Sequence, residues 1–101
     1  MTLTSKQRKT LRGLGQKRPD DARLGKSGLT DGFIENLNEL LDRRELVKLR
    51  FTDVEGAMRQ TLADEVCQRV EAECAGVIGR TMLLYRANPE LEDGQRVRID
   101  G

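Results

Sequence analysis

The chain has 101 residues, 37% hydrophobic and 35% charged, enough for one domain with its own core and too rich in apolar residues to read as disordered. No apolar run approaches the roughly 18 residues of a membrane span, and the opening Met1-Thr2-Leu3-Thr4-Ser5-Lys6 lacks the apolar stretch of a secretory signal, so a cytoplasmic location is expected. The net charge of +1 conceals an asymmetry: residues 1–28 hold eight Lys/Arg against Asp20 and Asp21, while the remainder is acidic on balance.

Thr4 or Ser5 can cap a first helix over residues 6–14, with Gly13 and Gly15 as stop signals. Leu3, Leu11 and Leu14 can dock one face, leaving Lys6, Arg8, Lys9 and Arg12 mostly in solvent. A polar linker containing Pro19 follows, and Ala22-Arg23-Leu24 makes at best a short strand. Residues 30–45 read as a helix: Thr30 caps it, Asp31 suits its positive first turn, and Ile34, Leu37, Leu40 and Leu41 recur at helical spacing. Leu46-Val47-Lys48-Leu49-Arg50-Phe51 then switches to period two, with Val47, Leu49 and Phe51 on one face and Lys48 and Arg50 on the other.

After a turn over residues 53–56, Met58, Leu62, Val66 and Val70 repeat every four residues, predicting a helix over residues 57–74 that stops at Gly76. Cys67 and Cys74 would sit on that helix about 10 Å apart along its axis, beyond the roughly 7 Å Cα separation a disulfide tolerates; both read as small apolar side chains. Val77-Ile78, a break at Gly79-Arg80, and residues 82–85 complete the strands, and residues 88–101 read as a polar, mobile tail, in which Arg96-Val97-Arg98-Ile99 could pair as an edge strand. Domain organisation is thus a body of residues 1–87 and a tail. Alternating helices and strands argue for an α/β sandwich with a partly parallel sheet and its helices mainly on one face.

The chemistry concentrates in Leu24-Gly25-Lys26-Ser27-Gly28-Leu29-Thr30-Asp31, a glycine-rich turn entering a helix. Glycines admit phosphate close to the backbone N–H groups, Lys26 adds charge, Ser27 a donor, and the helix dipole partial positive charge. The spacing is too short for a Walker loop, which argues against nucleotide hydrolysis. Gly76-Val77-Ile78-Gly79 repeats the GxxG pattern with apolar middle residues and reads as a buried strand between two turns. With no histidine and no nucleophile elbow, the chain is not expected to be an enzyme, and no metal, cofactor or small-molecule substrate is expected. The three aromatic residues, Phe33, Phe51 and Tyr85, offer no base-stacking platform, so nucleic-acid binding would run through phosphate and sugar. Lys26, the basic first helix, Lys48, Arg50 and Arg80 could line one continuous surface.

Four blocks in order resemble the CRM domain (chloroplast RNA splicing and ribosome maturation), in its bacterial stand-alone YhbY type, over residues 3–86. They are Leu3-Thr4-Ser5-Lys6-Gln7-Arg8 with Leu11-Arg12-Gly13-Leu14; Leu24-Gly25-Lys26-Ser27-Gly28-Leu29-Thr30-Asp31-Gly32; Glu45-Leu46-Val47-Lys48-Leu49-Arg50; and Val77-Ile78-Gly79-Arg80-Thr81-Met82-Leu83-Leu84-Tyr85-Arg86. The resemblance implies a compact mixed four-stranded fold similar to the C-terminal domain of translation initiation factor three. It also implies an RNA-binding role, with ribosomal RNA or a precursor of the large ribosomal subunit as partner. Carried across, the loop is Gly25, Lys26, Ser27 and Gly28, and the terminal signature runs from Gly79-Arg80 to Tyr85-Arg86. The polar Asp20-Asp21-Ala22-Arg23 departs from the apolar first strand of that family, and the acidic pair could locally oppose phosphate. The expected interface is therefore Gly25, Lys26, Ser27, Gly28, Lys6, Arg8, Lys9, Arg12, Lys48, Arg50, Arg80 and Arg86, on a chain expected to be monomeric. The competing expectation is an adaptor that docks its basic end on an acidic protein.

Overall fold

The computed structural model describes residues 2–25 and 27–99. Elements follow in the order α1 Ser5–Gln16, β1 Ala22–Leu24, α2 Asp31–Arg44, β2 Leu46–Phe51, α3 Gly56–Arg69, β3 Glu73–Ile78, β4 Thr81–Tyr85 and a 3-10 turn Asp93–Gln95. The sheet has four strands in the order β1-β2-β4-β3, with β1 parallel to β2 and the other pairs antiparallel. This is the mixed α/β sheet that the alternation of elements predicts.

The period-two pattern of β2 divides the core. Val47, Leu49 and Phe51 meet α2 and α3 through Leu37, Leu41, Ala63 and Val66 in the larger cluster. Leu46, on the opposite face, joins Leu3, Leu11, Leu83 and Tyr85 beneath α1. Two helices cover one face, and α1 seals half of the other. Among the described residues no helix is long and apolar enough to cross a membrane.

Helix α1 is capped as expected: Thr4 Oγ1 accepts from the Gln7 N–H while the Gln7 side chain accepts from the Thr4 N–H. It does not stop at Gly13 or Gly15 but runs on to Gln16. Gly15 is buried flat against Leu83, where a Cβ would collide with the leucine methyls, so packing rather than chain termination accounts for it.

Helix α3 ends five residues earlier than its apolar repeat suggests. Glu71 adopts a left-handed φ of 53° and the Ala72 N–H returns to the Cys67 carbonyl at 2.9 Å, reversing the chain. Cys74 therefore lies on β3, not on the helix, and faces Cys67 across the α3–β3 seam. Contact with Cys74 and burial push the Cys67 thiol up, while the hydrogen bond from Cys67 lowers Cys74 to about 7. The second GxxG pattern is also not a buried strand between turns. Gly76 lies inside β3, only Gly79 occupies a turn (φ 59°), and Ile78 is 41% exposed.

The short β1 does form, and the acidic residues before it are the reason. The Asp21 N–H donates to the Lys48 carbonyl at 2.8 Å, and the Asp21 carboxylate accepts from Arg44, Arg18 and the Lys48 N–H. Asp20 pairs with Arg50. Both carboxylates are thus spent on arginines of the protein.

Residues 88–99, read from the sequence as a polar tail, return along the α1 face without forming a strand. Glu45, fully buried at the end of α2, holds them: its carboxylate accepts from the N–H groups of Asn88 and Val97 and from the Arg96 guanidinium. Ile99 then closes the smaller core cluster at 7% exposure.

Candidate nucleic-acid interface

The first GxxG loop leaves β1 where that strand ends beside Phe51. Its backbone is pinned there, with the Thr52 N–H donating to the Leu24 carbonyl at 2.8 Å. A Cβ on Gly25 would approach Thr52 Oγ1 to 2.6 Å, so any other residue here would have to turn the threonine hydroxyl aside. The Gly28 N–H closes a turn onto the Gly25 carbonyl at 3.0 Å, and Gly28 has a left-handed φ of 69°. Thr30 then caps α2 by accepting from the Phe33 N–H at 3.1 Å. Ser27 is exposed, and Lys26 lies outside the described residues. The loop is a tight turn feeding a capped helix.

Beside this loop lies the half of the sheet face that α1 leaves open. Register places Arg23 opposite Arg50, Arg50 opposite Thr81, and Thr81 opposite Ile78, all pointing to that face. At about 4.8 Å between strands, the row is roughly 14 Å wide. Arg12 borders it from α1, its side chain lying over Gly76, which has no Cβ to obstruct it. Lys9 lies on the same flank of the helix by the 100° repeat and is exposed. Arg80 is exposed on the β3–β4 turn at the end of the row. A cleft of about 430 Å³ opens there, lined by Arg50, Thr52, Arg59 and Arg80 together with Asp53 and Glu55.

The other expected residues fall elsewhere. Lys6 is exposed on the back of α1. Arg8 folds onto its own helix start, donating to the Leu3 carbonyl at 2.8 Å and Ser5 Oγ at 3.2 Å. Lys48 Nζ donates to the Arg18 carbonyl at 3.0 Å. Arg86 is consumed within the fold: its guanidinium reaches Asn38 Oδ1, the Asn38 and Val70 carbonyls, and Asp42 Oδ1, all within 3.1 Å. The expected single surface thus divides: Lys9, Arg12, Arg50, Arg80 and the loop border the open face, Arg8, Lys48 and Arg86 are held by the protein itself, and Lys6 faces away.

Two residues outside the expected set belong with the open-face group. Arg23 is exposed in the middle of the row, and the inward-facing Ala22 and Leu24 on either side were the alternation that could have revealed it. Arg59 on α3 donates from Nη1 to the Gly79 carbonyl at 3.0 Å, latching the β3–β4 turn. No local pattern links positions 59 and 79. Phe51 and Tyr85 are 2% and 3% exposed and Phe33 packs against the core, so no aromatic face is presented to a base.

Comparison with known proteins places the chain among relatives. The chain is 31% identical over 90 residues to a protein of Pseudomonas aeruginosa named a probable RNA-binding protein, covering 89% of this chain and 86% of that one. It is 28% identical over 89 residues to a Haemophilus influenzae protein named RNA-binding protein, covering 88% and 90%. The solution structure of a hypothetical protein from Staphylococcus aureus superposes with a TM-score of 0.80 at 27% identity, covering 91% of this chain and 96% of that one. A family model described as the CRS1/YhbY (CRM) domain matches residues 3–86, which takes in α1, the glycine loop and the whole sheet. With a match over residues 3–86, the chain belongs to the CRS1/YhbY (CRM) domain family.

Proposed function

We propose that the protein binds structured RNA through its phosphate backbone, using the loop of residues 25–28 and the open-face cations Arg12, Arg23, Arg50 and Arg80. The carrying observation is the row of Arg23 and Arg50 across the uncovered half of the sheet, directly beside a turn whose Gly28 takes a left-handed φ of 69°. The relatives' names as RNA-binding proteins support the ligand class. Lack of an accessible aromatic face favours backbone contacts with little sequence discrimination. Lys26, on the same loop, adds its charge to the grip.

The fitting substrate is ribosomal RNA, and the role is assistance in large-subunit assembly by a cytoplasmic monomer. It is a binding protein rather than an enzyme: the chain has no histidine, and its buried carboxylate Glu45 is occupied by structural hydrogen bonds. Affinity for a large-subunit RNA fragment, measured against salt, should fall with a log–log slope of about −3 to −5, as four to six released phosphate contacts require. A slope near zero would rule out this mode. Gradient fractionation should place the protein with large-subunit precursors. Co-migration with an acidic protein that survives nuclease would instead support the adaptor.

A further inference from the structure

On the flank of α1 opposite Arg12, the returning residues 96–98 and the helix enclose a notch of about 370 Å³ lined by Leu14, Arg18, Leu46, Arg96, Val97 and Arg98. Its floor is apolar, and Leu14 is 43% exposed within it although it sits on a helix whose other leucine, Leu11, is completely buried. Its rim is three guanidiniums. Arg18 and Arg96 are oriented by Asp21 and Glu45, respectively, whereas Arg98 is exposed and has no ion-pair partner among the described residues. Lys17 stands exposed next to Arg18. Three of the six residues lie beyond position 86, outside the part of the chain that the family model matches.

We propose that this notch is a nucleotide subsite, with a base resting on Leu14 and Val97 and its flanking phosphates meeting Arg98 and Arg18. The proposal rests on the RNA-binding reading above and extends it to residues that reading does not use. The chemistry selects the occupant. Three cations around an apolar floor suit an anion that carries an apolar group, and a notch of about 370 Å³ has room for a single base with its phosphates. The position selects it too. Arg12 and Lys9 lie on one flank of α1 and Arg18 on the other, so a polyanion crossing the helix meets cations on both sides. The base would gain apolar burial against Leu14 and Val97.

The test uses the full chain with isotope-labelled leucine and valine methyls, titrated with a short oligouridylate, an abasic ribose-phosphate oligomer of the same length, and polyglutamate. The oligouridylate is expected to shift the Leu14 and Val97 methyls, with the abasic oligomer and polyglutamate leaving them in place. Arg98→Glu should weaken oligouridylate binding about fivefold at 0.1 M salt, because a slope of about 0.7 per phosphate accumulates over the decade up to 1 M. Leu14→Ser, at an exposed position, should abolish the base-dependent shift of Val97. Unmoved methyls in a protein that still binds the oligomer through the open face would overturn the subsite and leave the RNA-binding reading standing. Polyglutamate shifting the methyls as strongly would reassign the notch to acidic protein and also overturn it. No binding of oligouridylate or structured RNA by the unaltered chain would remove both readings together.

Discussion

The two ends of the sheet use charge in opposite ways. At the end where β2 begins, Glu45 is buried and Arg86 partly so, and each satisfies a set of partners, Glu45 from the returning C-terminal residues and Arg86 from α2 and Val70. At the end where β2 finishes, Arg23 and Arg80 are exposed, and Arg50 is tied on one side only, to Asp20. A charge whose donors are already used holds the fold, and a charge with donors to spare can hold a ligand. Counting cations along the chain cannot separate the two kinds.

Variants at each end should separate stability from binding. The largest effect is expected for Glu45→Ala, which orphans the Arg96 guanidinium and the Asn88 and Val97 N–H groups. A loss of about 1–3 kcal/mol is expected for each donor left unsatisfied, read as a shift of the urea midpoint. Arg86→Ala should cost about 1.5–3 kcal/mol, the range for a hydrogen-bonded charged group, and Arg86→Lys should not restore it, because one ammonium cannot span four acceptors. If Arg86→Ala instead left the urea curve in place and weakened RNA binding, the division between the two ends would be wrong.

The opposite behaviour is expected at Arg23. Arg23→Glu should reduce affinity for structured RNA by about eightfold at 0.1 M salt, one phosphate contact at a slope of about 0.9. Its stability should stay within about 0.5 kcal/mol, as for surface substitutions generally. The smallest effect is chemical. Alkylation of Cys74 should rise through about pH 7 instead of 9, while Cys67, pushed upward, stays unmodified until the chain unfolds. Mass spectrometry of the labelled peptides distinguishes the two.

What the sequence revealed follows from how local each cause is. Helix α2 was legible because Thr30, Asp31 and the leucine repeat all lie within its own span, and β2 because its alternation is complete in six residues. The extension of α1 through Gly15 was hidden because its reason is Leu83, far along the chain. The early end of α3 was hidden because a glutamate, rather than a glycine or asparagine, takes the left-handed position at Glu71. The same rule applies to the candidate site. The glycine loop announced itself, but Arg59 could be connected to the Gly79 turn only in three dimensions.

The arginine row has one more consequence, for self-association. Strand β1 is an edge strand, and an exposed edge invites pairing with another chain. It is three residues long and carries Arg23 in its middle, with Arg50 beside it. The opposite edge, β3, is interrupted by a bulge between Cys74 and Gly76, where Arg12 lies across the backbone. The side chains that face a polyanion therefore also keep both margins of the sheet from templating a neighbour. Replacing them with neutral residues would remove the ligand and the guard together, whereas reversing their sign would remove only the ligand.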